Sequence, residues 1–185
     1  IFKKIKWNKF DDNNENIVNN FSKTLTKFSL ILKDNKFDLI ILLGDRFETL
    51  SVAITGHLFR IPIAHIHGGE LTSGSIDDAM RHSITKLSNL HFVSHKEYKR
   101  RVTQLGENPN NIFVVGSLGA ENIQSINYLS KKNLEKQLNF KFLKKNILIN
   151  FHPETLNSKS EKKQIKEILE SLKKFKDTNK IFTMP

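Results

Sequence analysis

Apolar residues recur along this chain in two alternating rhythms. From about residue 15 to 34 they fall at Ile17, Val18, Phe21, Leu25, Phe28, Ile31 and Leu32, the spacing of one helical face. Residues 38–43 follow as a short apolar run, rich enough in β-branched side chains to predict a buried strand. The alternation then repeats: a helix over about 46–59, a strand over 61–67, and a helix over about 76–88 with Ile76, Met80, Ile84 and Leu87 on one face. A short strand at 90–93, a basic helix over about 95–105 closed by Gly106, and a strand at 112–115 complete this part. Helical pieces over about 119–139 lead to a strand at 146–151, a Lys-rich helix over about 159–175 and a last strand from Lys180. Strands separated by helices predict βαβ units and a parallel sheet. No internal repeat or low-complexity linker interrupts them, and the strand-free stretch within about 117–142 is the expected domain boundary.

The strands end in polar residues, one after another. Residues 38–43 run into Gly44-Asp45-Arg46-Phe47-Glu48, and 61–67 into Gly68-Gly69-Glu70, while Asp77 and Asp78 open the helix that follows. In a parallel sheet these ends converge on one rim, and ligands bind in the crevice outside the carboxyl ends of the strands.

Composition narrows the function only slightly. The formal charge is +11, yet lysine is scattered through helices also rich in Asn and Ile, which describes a solvated surface better than a nucleic-acid face. The densest groups, Lys99-Arg100-Arg101 and Lys173-Lys174 with Lys176, lack the interleaved aromatics that base stacking uses. No nucleic-acid or membrane partner is expected. Cysteine is absent, which removes disulfides and thiolate chemistry and suits a cytoplasmic, reducing setting. No apolar run approaches the roughly 20 residues that span a bilayer, and no secretory signal opens the chain. A first residue of Ile, and a last strand with nothing after it, suggest a sequence cut at both ends.

Each candidate residue has two readings. Asp45 either caps the next helix or stands free at the rim. Arg46 either pairs with Glu48 on the surface or meets a phosphate. His65 and His67, two apart on a strand, share a face; they either line a polar pocket as hydrogen-bonded histidines or hold a metal with Asp45 or Glu70. Gly68-Gly69 permits close backbone approach to a ligand, but no Lys-Ser or Lys-Thr follows to make a phosphate-binding P-loop. Asp77 with Arg81, and Asp78 with His82, are each four apart on one helix face. They are either ordinary helix pairs or a rim carboxylate oriented by Arg81, with Ser75 as the cap that frees Asp77. His152 is held at a strand exit by Pro153.

These motifs resemble one family. Gly44-Asp45-Arg46-Phe47-Glu48, His65-Ile66-His67-Gly68-Gly69-Glu70, the block from Ser75 to Ser88, and Phe151-His152-Pro153-Glu154-Thr155 stand in the order seen in UDP-N-acetylglucosamine 2-epimerases, most like the hydrolysing branch that feeds sialic-acid-type sugar synthesis. The resemblance implies an α/β fold of Rossmann-like parallel sheets with helices on both faces, in a two-domain, glycosyltransferase-B-like architecture. Residues 1–118 would close the first domain, 119–141 connect, and 142–185 open the second. It implies conversion of UDP-N-acetylglucosamine and water to N-acetylmannosamine and UDP, by elimination of UDP to a 2-acetamidoglucal followed by addition of water. A 2,4-diacetamido-6-deoxy sugar is the alternative substrate, and a metal-dependent hydrolase using His65 and His67 the alternative chemistry. By resemblance Asp45, His67, Asp77 and His152 are catalytic, and Arg46, Glu70, Asp78, Arg81, Gly116, Ser117 and Glu121 bind substrate. Several relatives carry Glu where this chain has His67, so either His67 takes that acid/base role or Glu70 supplies the carboxylate. No cofactor or metal is implied, the partner is a UDP-sugar, and relatives are commonly homo-oligomers. The 185 residues alone are expected to bind UDP weakly and not to turn over.

Overall fold

The computed structural model describes residues 13–152 and 161–183. They divide into two compact units between Gln124 and Ser125, inside the strand-free stretch.

The first unit is a four-stranded parallel sheet in the order β1 (Ile40–Leu43), β2 (Ile63–Ile66), β3 (Leu90–Val93), β4 (Ile112–Val114). Helix α1 (Asn14–Lys33) precedes it, and α2 (Phe47–Leu58), α3 (Asp77–Leu87) and α4 (Lys96–Gln104) connect the strands. Asn13 starts α1 by accepting the Asn16 N–H at 2.8 Å, and Gly106 ends α4 at φ +90°. In register, Leu42 faces His65, and His65 faces His91.

The strand order fixes where the helices go. Each strand is laid beside the last in the same direction, and a right-handed crossover, the near-universal hand, puts every such helix on one face. Burial agrees. Ile40 and Leu42 pack with Leu32, Ala53, Ile63 and Ile84 in one core, and Val93, Val102 and Ile112 form a second beneath α4. On the other face Ile41 and Leu43 are 64% and 57% exposed. Among the described residues the strand at 38–43 is therefore a half-buried edge strand rather than a buried one.

Helix α5 (Leu118–Ser125) closes the first unit. The second contains α6 (Lys131–Leu138), a parallel pair β5 (Lys145–Ile149) and β6 (Thr178–Phe182), and α7 (Glu161–Leu172). Ser130 caps α6 through the Asn133 N–H. Among the described residues no helix is long and apolar enough to cross a membrane.

Candidate active site

Beyond β1 the chain turns at Gly44, and the carboxylate of Asp45 meets the guanidinium of Arg81 on α3. Asp45 caps nothing: α2 starts at Arg46 without a side-chain cap bond. Arg81 is buried, and it fans out to several acceptors. Its NH2 group donates to Asp45 Oδ2 and to Thr72 Oγ1 (3.2 Å), and NH1 donates to the His67 carbonyl (2.9 Å) and lies 3.6 Å from Glu70 Oε2. Helical spacing pointed Arg81 at Asp77. The structure turns it to Asp45 instead, because a guanidinium buried beside the strand ends meets tertiary acceptors there.

Asp77 is held by Ser75. The Ser75 hydroxyl donates to Asp77 Oδ2 at 2.8 Å and accepts the Asp77 N–H at 3.2 Å, so Ser75 anchors this carboxylate rather than freeing it. Asp78 accepts the Thr72 N–H at 2.7 Å, tying down the loop before α3, and keeps His82 at 3.8 Å.

The two histidines of β2 part company. His65 is fully buried, with Nε2 2.8 Å from the Gly44 carbonyl and Nδ1 3.1 Å from Thr85 Oγ1. Burial pushes its pKa down to about 4, against the opposing pull of the Gly44 carbonyl, so the ring is neutral at pH 7. With both nitrogens engaged it offers no lone pair to a metal. His67 lies past the last strand residue with φ +65°, which breaks the two-residue alternation that would have put both rings on one face. Its Nδ1 lies 2.7 Å from Glu70 Oε1. Among the described residues no group of three or more His, Asp or Glu side chains is arranged to hold a metal ion.

Electrostatics separates the carboxylates. Burial raises the pKa of Asp45 beyond what the Arg81 charge lowers it, and Asp77 and Glu70 add repulsion. Burial works the same way on Glu70, but hydrogen bonds from Ser94 (2.7 Å) and His67, with the Arg81 charge, outweigh it and hold this carboxyl below its usual range. Neighbouring acids pushed in opposite directions are a common signature of acid/base sites.

The remaining candidates are placed as follows. Arg46 is exposed and paired with Glu48 at 3.2 Å, the surface-pair reading. Gly116, Ser117 and Glu121 are exposed, just beyond β4 and in the first turn of α5. His152 is exposed in the second unit, three residues after β5. Pro153, Glu154 and Thr155 lie outside the described residues. The structure thus gathers Asp45, His67, Glu70 and Arg81, with Asp77 coupled to Asp45 through space. Sequence reasoning missed Thr72, Thr85 and Ser94. Ser94 had a usable signal, since it directly follows β3 on the same rim as Gly44 and His67.

Comparison with known proteins extends the picture. The sequence profile described as UDP-N-acetylglucosamine 2-epimerase matches residues 1–185. The chain is 46% identical over 183 residues to the GDP/UDP-N,N'-diacetylbacillosamine 2-epimerase (hydrolyzing) of Campylobacter jejuni, covering 99% of this chain and 48% of that protein. It is 45% identical over 163 residues to polysialic acid biosynthesis protein P7 of Escherichia coli, covering 88% and 41%. The chain thus spans about half the length of the curated relatives it matches. Among solved structures, the Neisseria meningitidis UDP-GlcNAc 2-epimerase bound to UDP-GlcNAc superposes with a TM-score of 0.77 at 21% identity, over 95% of this chain and 50% of that one. At that identity the likeness speaks to the fold alone.

Proposed function

This chain belongs to the UDP-N-acetylglucosamine 2-epimerase family, and we propose that its activity is that of a hydrolysing nucleotide-sugar 2-epimerase acting on a UDP-2,4-diacetamido-6-deoxy sugar of the diacetylbacillosamine type. The observation that carries the reading is the 46% identity to the Campylobacter jejuni hydrolysing enzyme across nearly all of this chain. The likeness moves the preferred substrate away from UDP-N-acetylglucosamine, towards which the motifs alone had leaned. UDP-N-acetylglucosamine remains the second reading, favoured by the family's description.

The reaction breaks the C1–O bond to UDP while the C2 proton leaves, and water then adds across the resulting double bond with inversion at C2. No neighbouring carbonyl acidifies that proton, so a placed base is needed, worth about 10² to 10⁴ in rate. Asp45 suits such work because burial raises its pKa against the pull of Arg81, which makes its carboxylate a stronger base. His67 and Asp77 are the other proposed acid/base groups. Arg81 fixes Asp45, and Glu70 and Asp78 hold the loop around them. The roles of His152, Arg46, Gly116, Ser117 and Glu121 rest on the family resemblance.

Incubating the full-length protein with each UDP-sugar in deuterated water tests this. The expected result is free UDP and a 2-epimerised sugar carrying deuterium at C2, formed faster from the diacetamido substrate. Intact sugar nucleotide without exchange in both cases would remove the proposal, and faster turnover of UDP-N-acetylglucosamine would return that substrate to first place.

A further inference from the structure

We propose that Glu70 and Ser94 are positioning residues that hold His67 in a single tautomer, with Nδ1 protonated and Nε2 left as the proton-accepting atom. The catalytic use of that atom rests on the epimerase reading above; the tautomer does not.

The argument is one of donors and acceptors. Glu70 Oε1 lies 2.7 Å from His67 Nδ1 and 2.7 Å from Ser94 Oγ, and Oε2 lies 3.6 Å from Arg81 NH1. An ionised carboxylate only accepts, and a serine hydroxyl has one proton to give. The surroundings favour the ionised form of Glu70: burial opposes it, but Ser94, His67 and Arg81 prevail. The Nδ1 contact therefore requires a proton on Nδ1, and the lone pair of the neutral ring is left on Nε2. Nε2 makes no hydrogen bond to a described residue, and the side chain keeps 19% of its surface exposed. His65 differs, with both nitrogens engaged inside the protein.

The backbone fixes where the ring sits. A non-glycine residue at φ +65° is strained, and such strain persists where the surroundings over-determine it. Here the His67 N–H donates to the Phe92 carbonyl at 2.9 Å, and the His67 carbonyl accepts from Arg81 at 2.9 Å. The charged and titratable groups around the ring are Glu70 from its own loop, Arg81 from α3 with Asp45 behind it, and His65 from β2. A proton taken from substrate or water by Nε2 would leave an imidazolium resting on the Glu70 carboxylate, as a buried acid supports a catalytic histidine. Two hydrogen bonds converge on Glu70 Oε1, and the Arg81 guanidinium lies 3.6 Å from Oε2, so the carboxylate is oriented as the partner of the His67 ring. On this proposal the acid/base role at the loop falls to His67.

Two-bond proton–nitrogen correlation spectra of the protein with ¹⁵N-labelled histidine read the tautomer directly, with His67→Asn identifying the signal. The expected spectrum shows a protonated Nδ1 and a bare Nε2. Ser94→Ala should shift His67 towards a mixture of tautomers and lower kcat roughly tenfold with little change in KM; Ser94→Thr, which keeps the hydroxyl, should restore both. A protonated Nε2 in the unsubstituted protein would overturn the proposal, as would a Ser94→Ala protein with the His67 signals unaltered. If no sugar nucleotide is turned over, the epimerase reading falls while the spectra still decide the tautomer.

Discussion

Arg81 and Asp45 lie 36 positions apart in sequence, yet the guanidinium of one donates directly to the carboxylate of the other. The same guanidinium serves Thr72, the His67 carbonyl and Glu70, so it fastens the loop after β1 to the loop after β2. Lysine cannot reproduce that fork. Arg81→Met removes one partner of a largely buried ion pair and leaves Asp45 and Glu70 close together without their shared cation. The expected loss is about 3 kcal/mol, read from urea unfolding. Arg81→Lys should fold more stably than Arg81→Met while losing on the order of 100-fold in kcat/KM, because one point charge cannot hold several acceptors in register.

Asp45→Asn should separate stability from function. Burial raises the native pKa of Asp45 above its unfolded value of 3.8, so in the window above 3.8 the native state keeps a proton that the unfolded state has lost. Stability therefore falls as pH rises through that window, and the ionised carboxylate is a net cost at neutral pH. The neutral amide should be at least as stable as the acid at pH 7, with the difference closing as pH falls towards 3.8. Turnover should drop by about 10² to 10⁴ if Asp45 exchanges the proton. Denaturant midpoints measured for both proteins across pH 3.5–7, beside turnover at neutral pH, check the two halves independently.

These predictions divide along the line between what the sequence made legible and what it hid. The strand–helix alternation and the polar strand ends could be read directly, because periodicity and glycine placement are local properties. Asp45 was findable as the residue after a strand-terminal glycine. Its partner was not, since spacing on α3 pointed Arg81 at Asp77, and only the fold brings the end of β1 beside that helix. Ser94 was half legible: its place directly after β3 puts it on the rim with Gly44 and His67, but its partner Glu70 is 24 positions away and shows only in the fold. The exposure of Ile41 and Leu43 was also out of reach, because the two look the same in sequence whether or not something covers them. Strand order decides that, and strand order is not a local property.

Acid should weaken the fold through His65. Burial lowers its pKa from 6.5 to about 4. Between those values the unfolded chain takes up a proton that the native ring refuses. The contribution is fully present above about pH 6.5 and is lost as pH falls to about 4, a change of about 3 kcal/mol. His91 adds to the same slope, its pKa lowered by burial and by Lys86 against the opposing pull of Glu107. His65→Gln, whose side chain does not titrate, should flatten part of the decline between pH 6.5 and 4. An unchanged slope in the variant would show that the proton is taken up elsewhere.

Two glycines on the rim distinguish backbone strain from crowding. Gly44 and Gly69 both have positive φ, at +87° and +78°. A Cβ on Gly44 would meet nothing within 4 Å, so Gly44→Ala should cost only the left-handed backbone penalty, about 1 kcal/mol. A Cβ on Gly69 would sit 2.7 Å from the Tyr98 carbonyl oxygen and 2.8 Å from Val102 Cγ2. Gly69 is where α4 presses on the β2 loop, and Arg101 of that helix donates to the Gly69 carbonyl. Gly69→Ala must therefore move a helix as well as strain a residue, and overpacking brings its expected cost to about 3 kcal/mol. Because the same loop carries His67 and Glu70, the displacement should also disturb their hydrogen bond and lower turnover beyond the stability loss. Thermal unfolding and kcat measured for the two alanine variants decide it: equal destabilisation of both would mean that α4 does not bear on the loop as these contacts require.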